Sequence, residues 1–229
     1  MREIDAEGIP VAGLSMKDIE SRMEKYLLKY HPENLEEPGP LDVDKLLEIS
    51  IFQSHGFRED IIAAFDNPKI EARMRPIEQT VQITQACYNN IDAGDGHSRF
   101  NAVHEASHVI LHAHQYQEFL LNPTRMIKRE CETYESAEWQ AEHGGGALLM
   151  PLKTLVPFIE FLICEKHDYD SVVNSIMDTY KVSMTGVMSR LRQFPKPGLI
   201  NTIGVYSKYS KRIIRLIKSG GKEVHLKVC

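Results

Sequence analysis

The sequence is poor in the features that mark secreted, membrane-spanning and nucleic-acid-binding proteins. Its four cysteines lie far apart without a CxxC pair, so neither a disulfide framework nor a zinc knuckle is predicted. The longest apolar stretch, LVPFIEFLIC, has about half the length of a membrane span and contains Pro157 and Glu160. The first residues lack the apolar segment of a secretory signal. We therefore expect a cytoplasmic protein with free thiols.

Acidic residues outnumber basic ones in the chain outside its C-terminal end. The 229 residues carry a net charge of −5, which argues against nucleic-acid binding by the chain as a whole. From Lys208 onward, however, seven Lys and Arg residues stand against one acid, so this tail carries +6 and the rest −11. The tail is expected either to pack on the acidic body or to steer an acidic partner.

Apolar residues recur mostly at helical spacing, which predicts a predominantly helical α+β fold with a small sheet. Alternation at Val81, Ile83 and Cys87 predicts a strand, the following NNIDAGDGH predicts a loop, and Ser98 is a candidate N-cap for the next helix. HPENLEEPGP, with three prolines, is typical of a linker. Further helices are predicted over 15–30, 41–50, 134–149, 153–167, 169–180 and 183–194.

The stretch VHEASHVILH contains the motif HExxH on a predicted helix. Residues four apart share a helix face, so His104 and His108 can direct two imidazole nitrogens at one zinc ion. Glu105 is rotated away from that axis, where a general base can take a proton from water. His112 lies one turn too far to join the same ion and is expected to pack behind it. The alternative is a histidine-rich helix without a metal.

A catalytic zinc needs a third protein ligand and one open position. The residues alone leave several acidic or imidazole candidates, namely Glu130, Glu132, Glu135, Glu138, Glu142 and His143. Candidates for stabilising an oxyanion are His114, Tyr116, Tyr134 and His143. For each of these the alternative is a structural role.

RFNAVHEASHVILH, followed by ESAEWQAEHGGGALLMP, resembles the ImmA/IrrE family of metallopeptidases. The resemblance lies in Arg99-Phe100 before the HExxH, the E-x-x-A of Glu138–Ala141, and the L-L-M-P at 148–151; weaker similarity spans roughly residues 38–197. It implies a zincin-like core in which Glu138 is the third zinc ligand and Glu105 the catalytic base. It also implies an endopeptidase whose substrate is a helix-turn-helix repressor of a mobile element, prophage or stress regulon.

With this resemblance the chain divides into an N-terminal helix and linker (1–37), a metallopeptidase domain with C-terminal helices (38–198) and a basic tail (199–229). Two departures follow Glu138: Glu142 stands where the family usually has Asn or Asp, and Gly144–Gly146 replace larger residues. Either the glycines let this helix approach the histidine helix closely, or the helix ends with Gly144 as its C-cap. We expect the former.

Two rival functions remain open at this stage. Residues 169–194 have the helix, turn and helix layout of a DNA reader, so a non-proteolytic regulator that binds DNA or protein is one alternative. The second of these helices offers only Arg190 and Arg192 for phosphate contacts, so we do not expect direct nucleic-acid binding. A zinc hydrolase of small amides is the other alternative. We expect no membrane partner, and the oligomeric state is left open.

Overall fold

The computed structural model describes residues 11–121, residues 136–194 and residue 213. Within this part the chain forms eight α-helices and a three-stranded sheet. The helices are α1 Met16–Tyr30, α2 Ile51–His55, α3 Gln85–Asp92, α4 Gly96–Leu121, α5 Ala137–Leu149, α6 Leu152–Cys164, α7 Tyr169–Tyr180 and α8 Met184–Gln193. The strands are β1 Arg58–Ile62, β2 Ala72–Arg75 and β3 Thr80–Thr84. The prediction of a mainly helical α+β fold is confirmed.

Helix α1 begins with the capping box that the sequence predicts. The Ser15 side chain accepts a hydrogen bond from the backbone of Asp18, and the Asp18 side chain accepts one from the backbone of Ser15. The apolar face of α1 is buried and packs mainly on α5. The predicted linker that follows is not loose, because it contains a 3-10 turn at Pro32–Leu35 in which Asn34 and Leu35 are buried.

The helix predicted over residues 41–50 is present but runs further and is wider at its start. A π-helical turn occupies Lys45–Ser50 and continues into α2, which ends at Gly56. Gly56 has a φ of 76°, a left-handed conformation that glycine adopts without the steric penalty of a side chain. The reversal at this glycine leads directly into β1.

The sheet has the strand order β1-β3-β2, with β1 parallel and β2 antiparallel to β3. The predicted strand is confirmed for Val81 and Ile83, which are fully buried. It is wrong for Cys87, because the chain turns into α3 after Thr84, whose side chain caps that helix by accepting from Cys87 N at 3.1 Å. The buried Cys87 therefore continues the apolar pattern on a helix.

The predicted loop before the histidine helix is shorter than expected. Helix α3 continues through Asp92, and α4 starts only four residues later at Gly96. Ser98 is not the N-cap of α4. Its backbone N–H donates instead to the Asp95 carboxylate at 2.8 Å, so Asp95 fills that role.

Helices α4 and α5 pack closely, and α5 runs unbroken through its three glycines to Leu149. A Cβ built on Gly144 would lie 3.1 Å from the Ser107 Cβ, and one on Gly145 would lie 3.6 Å from the His104 backbone. The prediction of close packing is confirmed, and the alternative that Gly144 caps the helix is wrong. This approach brings the first turn of α5 against the histidine motif on α4.

Helices α6, α7 and α8 complete the core, with bounds close to those predicted from the sequence. Among the described residues, no single helix is long and apolar enough to cross a membrane; α5 and α6 reach that length only together, across a bend of 59°. Most residues of α5 and the apolar side of α6 are buried inside the protein. Apart from Ile213, the basic tail lies outside the described residues.

Candidate metal centre

The histidine motif lies in the middle of α4, and its two histidines face the same point. The Nε2 atoms of His104 and His108 are 3.2 Å apart, as expected for side chains one helical turn apart. His108 is almost completely buried, whereas 18% of the His104 side chain is exposed. The motif is therefore reached from one side only.

Glu138 completes the cluster from the first turn of α5. Ser136 caps this helix by accepting from the backbone of Trp139, which sets where the first turn begins. One carboxylate oxygen of Glu138 lies 3.1 Å from His104 Nε2 and the other lies 3.1 Å from His108 Nε2. With 45% of its side chain exposed, Glu138 forms the open side of the cluster.

The spacing of these side chains is compatible with a zinc site. A tetrahedral zinc ion with bonds of about 2.0–2.1 Å holds its ligand atoms roughly 3.3 Å apart. The observed separations are 3.2 Å between the two imidazole nitrogens and 3.1 Å from each nitrogen to one oxygen of the Glu138 carboxylate, Oε2 for His104 and Oε1 for His108. His104, His108 and Glu138 also form a group able to hold a metal ion among the described residues. The donor set of two imidazoles and one carboxylate suits zinc and leaves one position for water.

Glu105 points towards the sheet and is held there by β2. Its Oε2 accepts a hydrogen bond from the backbone N–H of Met74 at 2.6 Å. Burial raises the pKa of the Glu105 carboxyl, an effect that the nearby His108 and His104 oppose. The backbone of a strand outside the motif therefore fixes the orientation of this side chain.

The charges of the cluster stabilise one another. Burial acts to raise the pKa of Glu138, but the hydrogen bonds from His104 and His108 outweigh it and hold that pKa well below its usual range. For His104, burial acts to lower the pKa, and the hydrogen bond to Glu138 together with the Glu105 charge raises it above its usual value. Glu138 is thus an ionised carboxylate, the form that metal binding requires of a carboxylate.

Behind the cluster, His112 and Tyr116 continue the same face of α4 into the core. Tyr116 OH lies 3.2 Å from His108 Nδ1, and His112 Nε2 lies 3.0 Å from the side-chain oxygen of Gln140 on α5. Burial lowers the pKa of His112 to about 3, and the neighbouring His108 acts in the same direction. His112 lies in the core behind His108, as the sequence predicts.

The other candidates from the sequence are directed elsewhere. Glu142 is exposed and accepts from the Ser189 hydroxyl at 3.4 Å, and His143 Nδ1 donates to the Trp139 carbonyl at 2.7 Å. As oxyanion donors, Tyr116 is buried against His108, and 83% of the His114 side chain is exposed. The candidates Glu130, Glu132, Glu135 and Tyr134 lie outside the described residues.

A cleft of about 400 Å³ opens from the cluster along β2. One wall is the segment from Ile70 to Met74 and the other is α4, on which Asn101 lies one turn before His104. Asn101 donates to the carboxylate of Glu71 at 2.9 Å and so ties the two walls together. The sequence analysis did not identify three residues that contact the site from other elements, because their contacts join parts that are distant in the chain. These residues are Met74, Gln140 and Asn101.

Comparison with known proteins agrees with this geometry. Residues 88–192 match the family model described as Peptidase_M78, IrrE N-terminal-like domain. Among curated proteins, none matches the chain. A solved structure of a Mycobacterium tuberculosis transcriptional regulator is similar, with a TM-score of 0.51 and 14% sequence identity over 79% of this chain and 48% of that one. At this identity the similarity concerns the fold alone, and this chain spans about half the length of that protein.

The matched residues contain α4 and α5 with the whole histidine and glutamate cluster, while α1, the sheet and the wall formed by β2 precede them. The match supports a zincin-like core, and a family of this kind implies a bound metal ion. The resemblance read from the motifs is confirmed: residues 88–192 of this chain match the IrrE N-terminal-like domain of the Peptidase_M78 family, in agreement with the ImmA/IrrE family.

Proposed function

We propose that this protein is a zinc-dependent endopeptidase that acts in the cytoplasm on a protein substrate, with a helix-turn-helix transcriptional repressor as the first candidate. One observation carries the proposal. The Nε2 atoms of His104 and His108 lie 3.2 Å apart, and each lies 3.1 Å from one carboxylate oxygen of Glu138, beside Glu105, in a cleft of a domain that matches a peptidase family.

His104, His108 and Glu138 would hold the zinc. When bound, zinc supplies Lewis acidity, which makes water an effective nucleophile near neutral pH. Glu105 takes the proton from the attacking water and passes it to the leaving amine. Its bond from the Met74 N–H occupies Oε2 and leaves Oε1 to carry that proton. The raised pKa of Glu105 supports this role, because a general base is most effective when its pKa approaches the working pH.

The edge of β2 favours an extended peptide over a small amide as the substrate. Strand β2 pairs with β3 on one side, and its other edge borders the cleft. The Met74 N–H points outward to Glu105, so the alternation of an antiparallel strand places the N–H and C=O of Ala72 on the same outer edge. A peptide can add to such an edge as a further strand, with its scissile carbonyl beside the metal ligands.

The C-terminal helices do not support the rival reading as a DNA reader. Arg190, one of only two basic residues of α8, is fully buried and bonded to the Glu20 carboxylate of α1. Arg192 is the only exposed basic residue of that helix, and a single cation neutralises too little phosphate for DNA affinity. The repressor as substrate rests on the family resemblance, since a fold alone does not specify a substrate.

The test is cleavage by wild-type protein and a Glu105→Gln variant, using a proteome-derived peptide library read by mass spectrometry and purified helix-turn-helix repressors encoded near this gene. Glu105→Gln should keep about one zinc per chain and lose roughly 10²–10⁴-fold in rate, because the amide cannot accept the proton. Glu142→Gln is the matched control, since Glu142 faces α8, and it should cleave like wild type. Wild-type cleavage by Glu105→Gln, or a zinc-loaded wild type that hydrolyses only small amides, would contradict the proposal.

A further inference from the structure

A chain of hydrogen bonds runs from the back of His108 to the N-terminal segment of the protein. His108 Nδ1 lies 3.2 Å from Tyr116 OH, which lies 3.5 Å from His112 Nδ1. His112 Nε2 lies 3.0 Å from Gln140 Oε1, and Gln140 Nε2 donates to the backbone carbonyl of Ala12 at 3.0 Å. Gln140 and His112 are fully buried, so water does not compete for these bonds.

The last acceptor in this chain sets the direction of every bond before it. A backbone carbonyl can only accept, so the amide nitrogen of Gln140 faces Ala12 and its oxygen faces His112. His112 must then carry its proton on Nε2 and offer Nδ1 as an acceptor. The Tyr116 hydroxyl donates to that Nδ1, and its oxygen accepts from His108 Nδ1. The direct approach of the two Nδ1 atoms of His108 and His112, at 3.4 Å, has the same direction.

The result at the front of His108 is a defined tautomer. A neutral imidazole carries its single proton on either nitrogen, and a metal ligand must present the bare one. With one proton of His108 held on Nδ1 by Tyr116 and His112, Nε2, which faces Glu138 at 3.1 Å, is the nitrogen that gives up its proton when a metal binds. The relay therefore sets which of the two nitrogens is presented to a metal.

We propose that Tyr116, His112, Gln140 and the Ala12 carbonyl form a positioning relay that selects the metal-binding tautomer of His108. Through this relay, the backbone at Ala12 contributes to the metal centre. Ala12 precedes residues 88–192, which match the family model. The inference rests on the proposed function in so far as His108 is a metal ligand.

Gln115 provides a control within the same segment. Its side-chain oxygen accepts a hydrogen bond from the backbone N–H of Ala12 at 2.6 Å. Gln115 therefore bonds to the N–H of Ala12, and Gln140 bonds to its carbonyl. Of these two side chains, Gln140 is the one that also bonds to His112. Loss of Gln115 therefore loosens the N-terminal segment without breaking the relay.

The first measurement needs no metal and no variant. In zinc-free wild-type protein with ¹⁵N-labelled histidine, long-range ¹H–¹⁵N correlation spectra at mildly alkaline pH report which ring nitrogen carries the proton. We expect a proton on Nδ1 of His108, and a proton on Nε2 but not on Nδ1 of His112. A bare Nδ1 on His108, or Nδ1–H on His112, overturns the relay.

The second measurement is zinc affinity, by competition with a chromophoric chelator. Gln140→Met is close to isosteric and should weaken zinc binding by about 10–100-fold, the usual effect of removing an outer partner of a metal-bound histidine. Gln115→Met should stay within about twofold of wild type. Equal weakening by both variants, or none by Gln140→Met, overturns the relay.

Tyr116→Phe keeps the direct His108–His112 approach and should have a smaller effect on zinc affinity than Gln140→Met. If Gln140→Met does not fold, the tautomers of the wild-type protein decide the question. A wild-type protein that binds no zinc would refute the proposed function, while the tautomer spectra would still judge the relay separately.

Discussion

A cluster of charged side chains lies at each end of α5. The two clusters differ in how exposed they are and in whether their hydrogen bonds are all made inside the protein. At the first turn, Glu138 meets His104 and His108 with 45% of its side chain exposed. At the last turn, Arg190 donates to the Met150 carbonyl and to Glu20, and the two side chains are 0% and 7% exposed. The first cluster is open to a cleft and the second is sealed.

This difference separates a candidate ligand site from a structural ion pair. In the sealed cluster, the guanidinium donates to the Glu20 carboxylate, the Met150 carbonyl and the Gln193 side chain, so its hydrogen-bonding capacity is used inside the protein. In the open cluster, two imidazole nitrogens and a carboxylate compete for one small volume. Buried charge alone therefore does not indicate function; lone pairs that converge on a cleft do.

The sealed cluster should matter most for stability. Arg190→Met should lower the free energy of unfolding of the zinc-free protein by about 3–5 kcal/mol, because it leaves the Glu20 carboxylate buried without its partner. Zinc stoichiometry should not change. Denaturant unfolding and zinc titration measure the two effects.

The double variant Glu20→Leu/Arg190→Met is the control for this interpretation. It removes both charges, so it should recover most of the lost stability. Two outcomes would contradict the distinction between the two ends of α5. One is that Arg190→Met lowers the free energy of unfolding by less than about 1 kcal/mol, and the other is that the folded variant fails to bind zinc.

A third buried group, His31, should make stability depend on pH. Its Nε2 lies 2.9 Å from the Ser50 hydroxyl, and burial, with Lys45 acting in the same direction, lowers the pKa of His31 to about 4. Because the unfolded chain protonates this histidine near pH 6.5, stability is lost as pH falls from about 6.5 to about 4, by roughly 3 kcal/mol in total. Above pH 6.5 this group contributes no slope.

His31→Gln should abolish that part of the pH dependence, whereas His114→Gln should keep the wild-type slope, since 83% of the His114 side chain is exposed. Denaturant unfolding at several pH values gives the difference between variant and wild type, in which the other titrating groups cancel. A parallel pH profile for His31→Gln and wild type would show that His31 is not held neutral.

The open cluster should contribute stability only when a metal is bound. At a zinc concentration one hundred times the dissociation constant, wild-type protein should gain about 2.7 kcal/mol. Glu138→Ala should lose most of this gain and change the zinc-free stability by less than about 1 kcal/mol, because its side chain is 45% exposed. Glu142→Ala, one turn further along α5, should gain like wild type. If Glu138→Ala lowered the free energy of unfolding of the zinc-free protein by several kcal/mol, this cluster would have a structural role as well.

Much of the site was predictable because its core is local in sequence. HExxH sets His104, Glu105 and His108 by helical spacing alone, and the capping box of α1 and the bounds of α7 are likewise local patterns. The choice of Glu138 among six candidates needed the family resemblance, since nothing in its neighbourhood distinguishes it from Glu142. The separation shows only in the structure, where Glu138 faces α4 and Glu142 faces α8.

The rest depended on contacts between distant parts of the chain. Cys87 continues the alternation of a strand, but the Thr84 side chain caps a helix there, and the periodicity of two does not distinguish these outcomes over so few residues. The bond from Met74 N–H to Glu105 joins a strand to a helix that lies 31 residues away. The bond from Gln140 to Ala12 spans 128 residues, and no local pattern predicts it.

The glycines in the middle of α5 connect the two clusters and should respond unequally to alanine. A Cβ on Gly145 would lie 3.6 Å from the His104 backbone, an ordinary contact, so Gly145→Ala should raise the free energy of unfolding by up to about 1 kcal/mol through helix propensity. A Cβ on Gly144 would lie 2.6 Å from the Met23 terminal methyl and 3.1 Å from Ser107 Cβ, so part of α1 or α4 must move. That strain exceeds the propensity gain, and Gly144→Ala should lower the free energy of unfolding by about 1 kcal/mol. Both variants should bind zinc like wild type, because neither Cβ reaches a ligand atom. Denaturant unfolding of the pair gives the signs, and a stabilising Gly144→Ala would mean that Gly144 is not required for the close approach of α5 to α4.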